Sequence, residues 1–388
     1  MLRTTFATLI FSALVTAACS SGEPLAGTDG QGGLPPLEED EGLPPATGEG
    51  EGEGEGEGEG EGEGEGEGEG EGEDEGDTGL TISECFSDIA SPTGVAPAYE
   101  QFDSIVGSHC QGTNHQNIQG IERVVFLGDS VTVGTPPSLP AEIYRSLLAD
   151  RLAARFGLTP PSTAWKSVNP FSGQGTLQDS GDFAVCAKWG ARNDDLNQGP
   201  HFQIDTCIPA SERHKKTLVI MTSGGNDIAD LTKDGIEGKP LPELEADVEY
   251  AIAALREAVL YMKDTTVFTG GIDLVFTNNF EFTDGTGDVG SCPAAGVGGF
   301  AEPWEDPTQL ARFVVHMMEQ YLAIARESNS DLVFVLESFC GHGYNYDDPQ
   351  NTCYRGPDAE RWFDLSCTHP NPTGHAVLAD MFMNVIEE

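Results

Sequence analysis

Twelve Glu-Gly dipeptides run without interruption from Glu49 to Gly72, and such a stretch cannot fold. Glycine gives up the most conformational entropy on ordering, glutamates two apart repel, and the repeat offers no apolar side chain to bury. Residues 20–79 as a whole hold 22 of the 65 acids, 21 of the 49 glycines and no Lys or Arg. A folded core must therefore lie beyond residue 79. Those 309 residues carry 43 acids against 18 bases and are long enough for one sizeable core. So acidic a surface speaks against a nucleic-acid partner, because phosphate binding needs clustered Lys and Arg. As a Gly-rich coil, the stretch has an r.m.s. reach of roughly 45 Å. That suits a spacer better than a low-affinity buffer for divalent cations.

The first residues read as an export address. Arg3 supplies a positive charge, Phe6 to Val15 is an apolar run too short to span a bilayer, and Thr16-Ala17-Ala18 puts small residues before Cys19. This resembles a bacterial lipoprotein signal, with Thr16 where Leu is usual. The resemblance implies removal of residues 1–18, lipidation of Cys19 and a membrane anchor at the bacterial cell envelope, as an outer-membrane or cell-surface lipoprotein. Ordinary cleavage with a free Cys19 is the alternative. Of nine cysteines, eight then remain, and an even number in an exported chain reads as up to four disulfides. Near-neighbour pairs such as Cys85–Cys110 and Cys186–Cys207 are the simplest guesses. No C-x-x-C occurs, so neither a zinc nor a redox site is expected.

Beyond the tether, short apolar runs alternate with helical spacings. Strands are expected at Arg123–Leu127, Phe183–Ala187, Thr217–Met221, Leu274–Phe276 and Leu332–Leu336. Helices are expected over Pro140–Phe156, Glu243–Lys263, Leu310–Arg326 and Gly374–Val385, where apolar residues recur three or four apart. The alternation points to an α/β fold with a parallel sheet covered on both faces, whose ligands sit beyond the C-terminal strand ends. The expected organisation is a signal at 1–18, a disordered acidic tether at 19–79, a disulfide-tied extension at 80–120 and one domain over 121–388.

Four polar motifs fall at strand ends or loops. Gly128-Asp129-Ser130-Val131 follows the first strand, where a tight turn exposes a hydroxyl near a helix N-terminus. Gly190 follows the second strand and either offers an unhindered N–H or is a packing glycine. Gly224-Gly225-Asn226-Asp227 follows the third; Asn226 either aims its amide at an oxyanion or caps a helix. His369-Pro370-Asn371 precedes the last helix, after all the strands.

Taken together, in this order, the motifs resemble the SGNH/GDSL hydrolase superfamily over residues 122–388. The resemblance implies a flavodoxin-like three-layer sandwich with a five-stranded parallel sheet, and serine-esterase chemistry without metal or cofactor. Carried over residue by residue, Ser130 is the nucleophile, His369 the general base, and Ser130, Gly190 and Asn226 the oxyanion hole. One position departs. The family places an Asp three residues before its His, and here that residue is Ser366; the nearest acid is Asp364. Three readings stay open: Asp364 reaching the imidazole through a bulge-like turn around Cys367, pinned by a disulfide; a backbone carbonyl orienting His369; or another acid, or a damaged enzyme.

The expected activity is hydrolysis of small-molecule, lipid or glycan esters through an acyl-Ser130 intermediate. Two alternatives accompany it: an O-acetylesterase or acetyltransferase for polysaccharides, and a non-catalytic surface protein with the same fold. His375 reads as a packing residue, and His109 and His115 as structural or surface residues. Asp284-Gly-Thr-Gly-Asp288 lacks the ligand run of a calcium loop and reads as a glycine turn. The Gly-rich segment Asn278–Glu305 is expected to wall the substrate pocket.

Overall fold

The computed structural model describes residues 80–86, 97–198, 202–296, 307–351 and 353–388. The signal, Cys19 and the tether lie outside the described residues, as do residues 297–305 of the segment expected to wall the pocket.

Six strands form the main sheet: β1 (Arg123–Gly128), β2 (Asp179–Ser180), β3 (Phe183–Val185), β4 (Thr217–Thr222), β5 (Ile272–Thr277) and β6 (Asp331–Val333), in the order β2-β3-β1-β4-β5-β6. All neighbours are parallel except β2, which runs antiparallel to β3. The sheet thus has six strands rather than the expected five. The extra one, Asp179-Ser180, is two polar residues long and leaves no apolar pattern to read. A second difference lies at the last strand. β6 ends at Val333, and Val335–Phe339 coils into a short helix instead of extending the strand. A short buried apolar run satisfies either structure, so periodicity alone cannot separate them.

The helices that pack the sheet and frame its C-terminal edge are α1 (Ser130–Val133), α2 (Tyr144–Phe156), α3 (Gln203–Cys207), α4 (Gly225–Ile236), α5 (Leu241–Met262), α6 (Pro307–Ser328) and α7 (Pro372–Glu387). Strand residues alternate between two cores. Val125, Leu127, Val219, Met221, Leu274 and Phe276 face α5 and α6, while Val124, Phe126, Leu218, Ile220 and Val275 face α2 and α7. Covering both faces explains why the strands read as continuous apolar runs. Each such side chain, fully buried, contributes about 1.5–3 kcal/mol.

The segment before β1 closes the sheet's free edge. Gly112 bridges to Val333, Thr113 N–H donates to the Leu332 carbonyl at 2.9 Å, and Phe334 N–H donates to that of Gln111 at 2.9 Å. An edge strand left open would invite pairing with another chain. Among the described residues there are four disulfides: Cys85–Cys110 and Cys186–Cys207, the near-neighbour pairs, together with Cys292–Cys367 and Cys340–Cys353. Among the described residues, no helix is long and apolar enough to cross a membrane.

Candidate active site

β1 delivers its last residues to a crowded spot. Gly128 has φ +113°, and a Cβ there would stand 1.7 Å from the Thr222 carbonyl oxygen of β4. Only glycine lets the chain leave the sheet this close to its neighbour. The Gln203 amide clamps both backbone polar groups of the same residue from α3: its Oε1 accepts Gly128 N–H at 2.7 Å and its Nε2 donates to Gly128 C=O at 3.0 Å. The Cys186–Cys207 disulfide ties α3 down beside it.

Asp129 then caps α1. Its Oδ1 accepts the Val131 N–H at 2.9 Å and the Thr222 hydroxyl at 2.8 Å. Burial pushes this carboxyl up to about 6, against those hydrogen bonds. Ser130 becomes the first helical residue, and its own N–H has no acceptor among the described residues, as the first turn of a helix dictates. The far end of α1 is held by Arg145, fully buried, which donates to the carbonyls of Thr132, Val133, Trp165 and Lys166 and lies 4.4 Å over the Trp165 ring.

His369 reaches this helix from 239 residues away. Its Nε2 lies 2.8 Å from the Ser130 hydroxyl oxygen. The loop carrying it folds on itself: Asp364 N–H donates to His369 C=O at 2.9 Å, Phe363 bridges to Pro370, and Asn371 caps α7 through the Gly374 N–H. Cys367 sits at the turn with φ +71° and is bonded to Cys292.

The other ring nitrogen meets Ser366 rather than an acid. His369 Nδ1 lies 2.7 Å from Ser366 Oγ, and Ser366 Oγ donates to Asp364 Oδ1 at 2.5 Å. Asp364 Oδ1 also accepts the Ser366 N–H at 2.7 Å, an Asx-type turn. The Thr368 hydroxyl is a second, longer neighbour of Nδ1 at 3.3 Å. Asp364 therefore approaches the imidazole through one intervening hydroxyl. Both ends of this chain are buried, His369 at 7 % and Asp364 at 4 % exposure. Burial pushes the imidazole down to about 4 and the Asp364 carboxyl up to about 6.

The expected oxyanion residues are tied to the same edge. Lys188 N–H donates to Gly128 C=O at 3.0 Å, bringing the loop after β3 to the end of β1. Gly190 has φ +76°, and its N–H has no acceptor among the described residues. Asn226, second residue of α4, donates one amide N–H to the Ala191 carbonyl at 2.8 Å, which fixes the side chain beside Gly190 and leaves its other N–H free to donate. Gly224, not Asn226, is the helix cap.

Other singled-out residues stand apart. His375 is fully buried, stacked against Tyr144, with neither ring nitrogen hydrogen-bonded. Asp284 accepts the N–H groups of Gly341, Gly343 and Asn345, so its loop is a structural tie. His115 Nδ1 lies 2.8 Å from the Ser330 carbonyl, and His109 pairs with Glu388. Among the described residues, no group of three or more His, Cys, Asp or Glu is placed to hold a metal. Sequence reasoning overlooked Ser366, reading it as a missing acid, and Gln203, which no motif marks. The pattern Asp-x-Ser two residues apart, ahead of the His, was the available signal for Ser366.

The profile of the GDSL-like lipase/acylhydrolase family matches residues 126–377. Among solved structures, the chain is similar to a gut microbial diltiazem-metabolizing enzyme, at 14% identity and a TM-score of 0.43, over 70% of this chain and 49% of that one. This chain thus spans about half of that protein's length. An acetyl xylan esterase from Geobacillus stearothermophilus aligns at 18% identity over 70% of this chain and 97% of its own, TM-score 0.35. A psychrotrophic esterase from Pseudoalteromonas sp. aligns at 13% identity over 69% and 97%, TM-score 0.36. No curated protein matches the chain.

Proposed function

The chain belongs to the GDSL-like lipase/acylhydrolase family, and from that premise we propose that it hydrolyses carboxylic esters through an acyl-enzyme on Ser130. The observation that carries this reading is the 2.8 Å contact between Ser130 Oγ and His369 Nε2. His369 takes the hydroxyl proton as Oγ attacks the ester carbonyl. The oxyanion is held by the N–H groups of Ser130 and Gly190 and by the Asn226 amide, each donor contributing roughly 3–4 kcal/mol in the transition state. The imidazolium then protonates the leaving alcohol, and water repeats the cycle to release the acid. Asp364 is the anion that favours the imidazolium.

Export with a lipidated Cys19 completes the reading. It is supported by the small residues before that cysteine and by four disulfides, which persist in oxidising compartments. A panel of p-nitrophenyl esters tests the activity. Release of p-nitrophenol that disappears in Ser130→Ala is expected. Turnover confined to the acetyl ester would favour an O-acetylesterase, and no turnover of any ester would favour a non-catalytic surface protein.

A further inference from the structure

The hydroxyl of Ser366 stands where a carboxylate would normally meet the imidazole. We propose that Ser366 is a positioning residue: inserted between Asp364 and His369, it transmits the carboxylate's demand for a proton and so fixes the tautomer of the catalytic imidazole. This rests on the esterase reading above.

The direction of each hydrogen bond follows from what the partners can donate. Ionised Asp364 only accepts, so the Ser366 hydroxyl proton must point at Oδ1, 2.5 Å away. With its single proton committed, Ser366 Oγ can only accept from His369 Nδ1, 2.7 Å away. Nδ1 must then carry the ring's proton, which leaves Nε2 bare to receive that of Ser130. No link in this chain can be reversed while Asp364 is charged. Without the Ser366 hydroxyl, the nearest group to Nδ1 is the Thr368 hydroxyl at 3.3 Å, which can donate as readily as accept and dictates nothing.

The same logic gives a pH response. Once Asp364 takes a proton, it can donate to Ser366, which can donate to Nδ1, and the ring proton moves to Nε2, where it blocks the base. The charged or titratable groups around Asp364 are Arg361, which favours the carboxylate, His369 through Ser366, and Tyr344, whose hydroxyl donates to the Asp364 backbone carbonyl. Burial is the larger influence and holds the carboxyl at about 6.

The test compares Ser366→Ala, Ser366→Thr and Ser366→Val in the full chain, with Ser130→Ala as control. The Thr/Val pair differs by the hydroxyl at near-equal volume, so it stays informative even if the Ala variant folds poorly. Expected are losses of about 10²–10³-fold in kcat for Ala and Val with KM little changed, and Thr within about 10-fold of the parent. The Asp364→Asn/Ser366→Ala double variant should be no slower than the worse single variant. ¹⁵N-histidine spectra should show His369 protonated on Nδ1 in the parent and on a mixture of nitrogens in the Val variant. Val matching Thr in kcat, or an unchanged tautomer in Val, would overturn the role of Ser366 while leaving the nucleophile assignment intact. Full turnover in Ser130→Ala would instead overturn the esterase reading on which it rests.

Discussion

Replacing Asn226 tests the least directly tied part of the site. Its Nδ2 donates to the Ala191 carbonyl at 2.8 Å, so one N–H of the amide holds the loop and the other stays free to donate to the oxyanion in the proposed mechanism. Asn226→Ala removes both. The structural loss is one hydrogen bond at a half-buried position, about 1 kcal/mol. The catalytic loss is one oxyanion donor, about 3–4 kcal/mol, or roughly 10²–10³-fold in kcat. Asn226→Asp should be slower still, because a carboxylate would face both the Ala191 carbonyl oxygen and the developing oxyanion. Steady-state kinetics on a p-nitrophenyl ester, read beside a urea denaturation curve, separates the two contributions. Stability lowered by about 1 kcal/mol with kcat unchanged would refute the oxyanion role and leave Asn226 as a loop tie.

The pH profile of kcat/KM should fall in two steps. Asp364, at about 6, takes a proton first and shifts the ring proton toward Nε2; the residual fraction of rings still bare at Nε2 is lost when His369, at about 4, is protonated in turn. Asp364→Asn should erase the upper step, and a single limb at the ordinary imidazole value of about 6.5 would contradict this assignment. Arg145→Met strands four carbonyls of the segments around α1, three of them in buried hydrogen bonds. It should cost about 3 kcal/mol or more in chemical denaturation, and a loss under 1 kcal/mol would show that the cation is dispensable. Replacing Cys292 and Cys367 together by Ser opens a loop with a sequence separation of 75 and frees the turn before His369. Unfolding free energy should drop by up to about 4 kcal/mol and kcat should fall with it; unchanged kcat would mean that the turn holds without the bond.

Much of this architecture was legible because both faces of the sheet are covered. Val124 to Leu127 and Leu218 to Met221 read as strands since each residue has a core to enter. The long helices were readable from spacing, although α4 was not, because its polar start, Gly225-Asn226-Asp227, looks like a loop. The strand at Asp179-Ser180 escaped for the same reason: it exists through pairing with β3, not through its own side chains. The candidate site was legible as a place where chemistry and position coincide: Ser130 and His369 meet, and Asn226 lies at the same sheet edge. It was not legible at Ser366, because a hydroxyl gains meaning there only when the Asx-type turn at Asp364 brings carboxylate and imidazole to its two sides. Gln203 was beyond reach altogether, since its value lies in a contact across 75 residues.

Covalent capture of the nucleophile bears most directly on the whole account. A fluorophosphonate probe, followed by peptide mapping in a mass spectrometer, should place one adduct on Ser130, absent in Ser130→Ala and formed far more slowly in His369→Ala. An adduct on a different residue, or labelling of Ser130→Ala at the parent's rate, would contradict it.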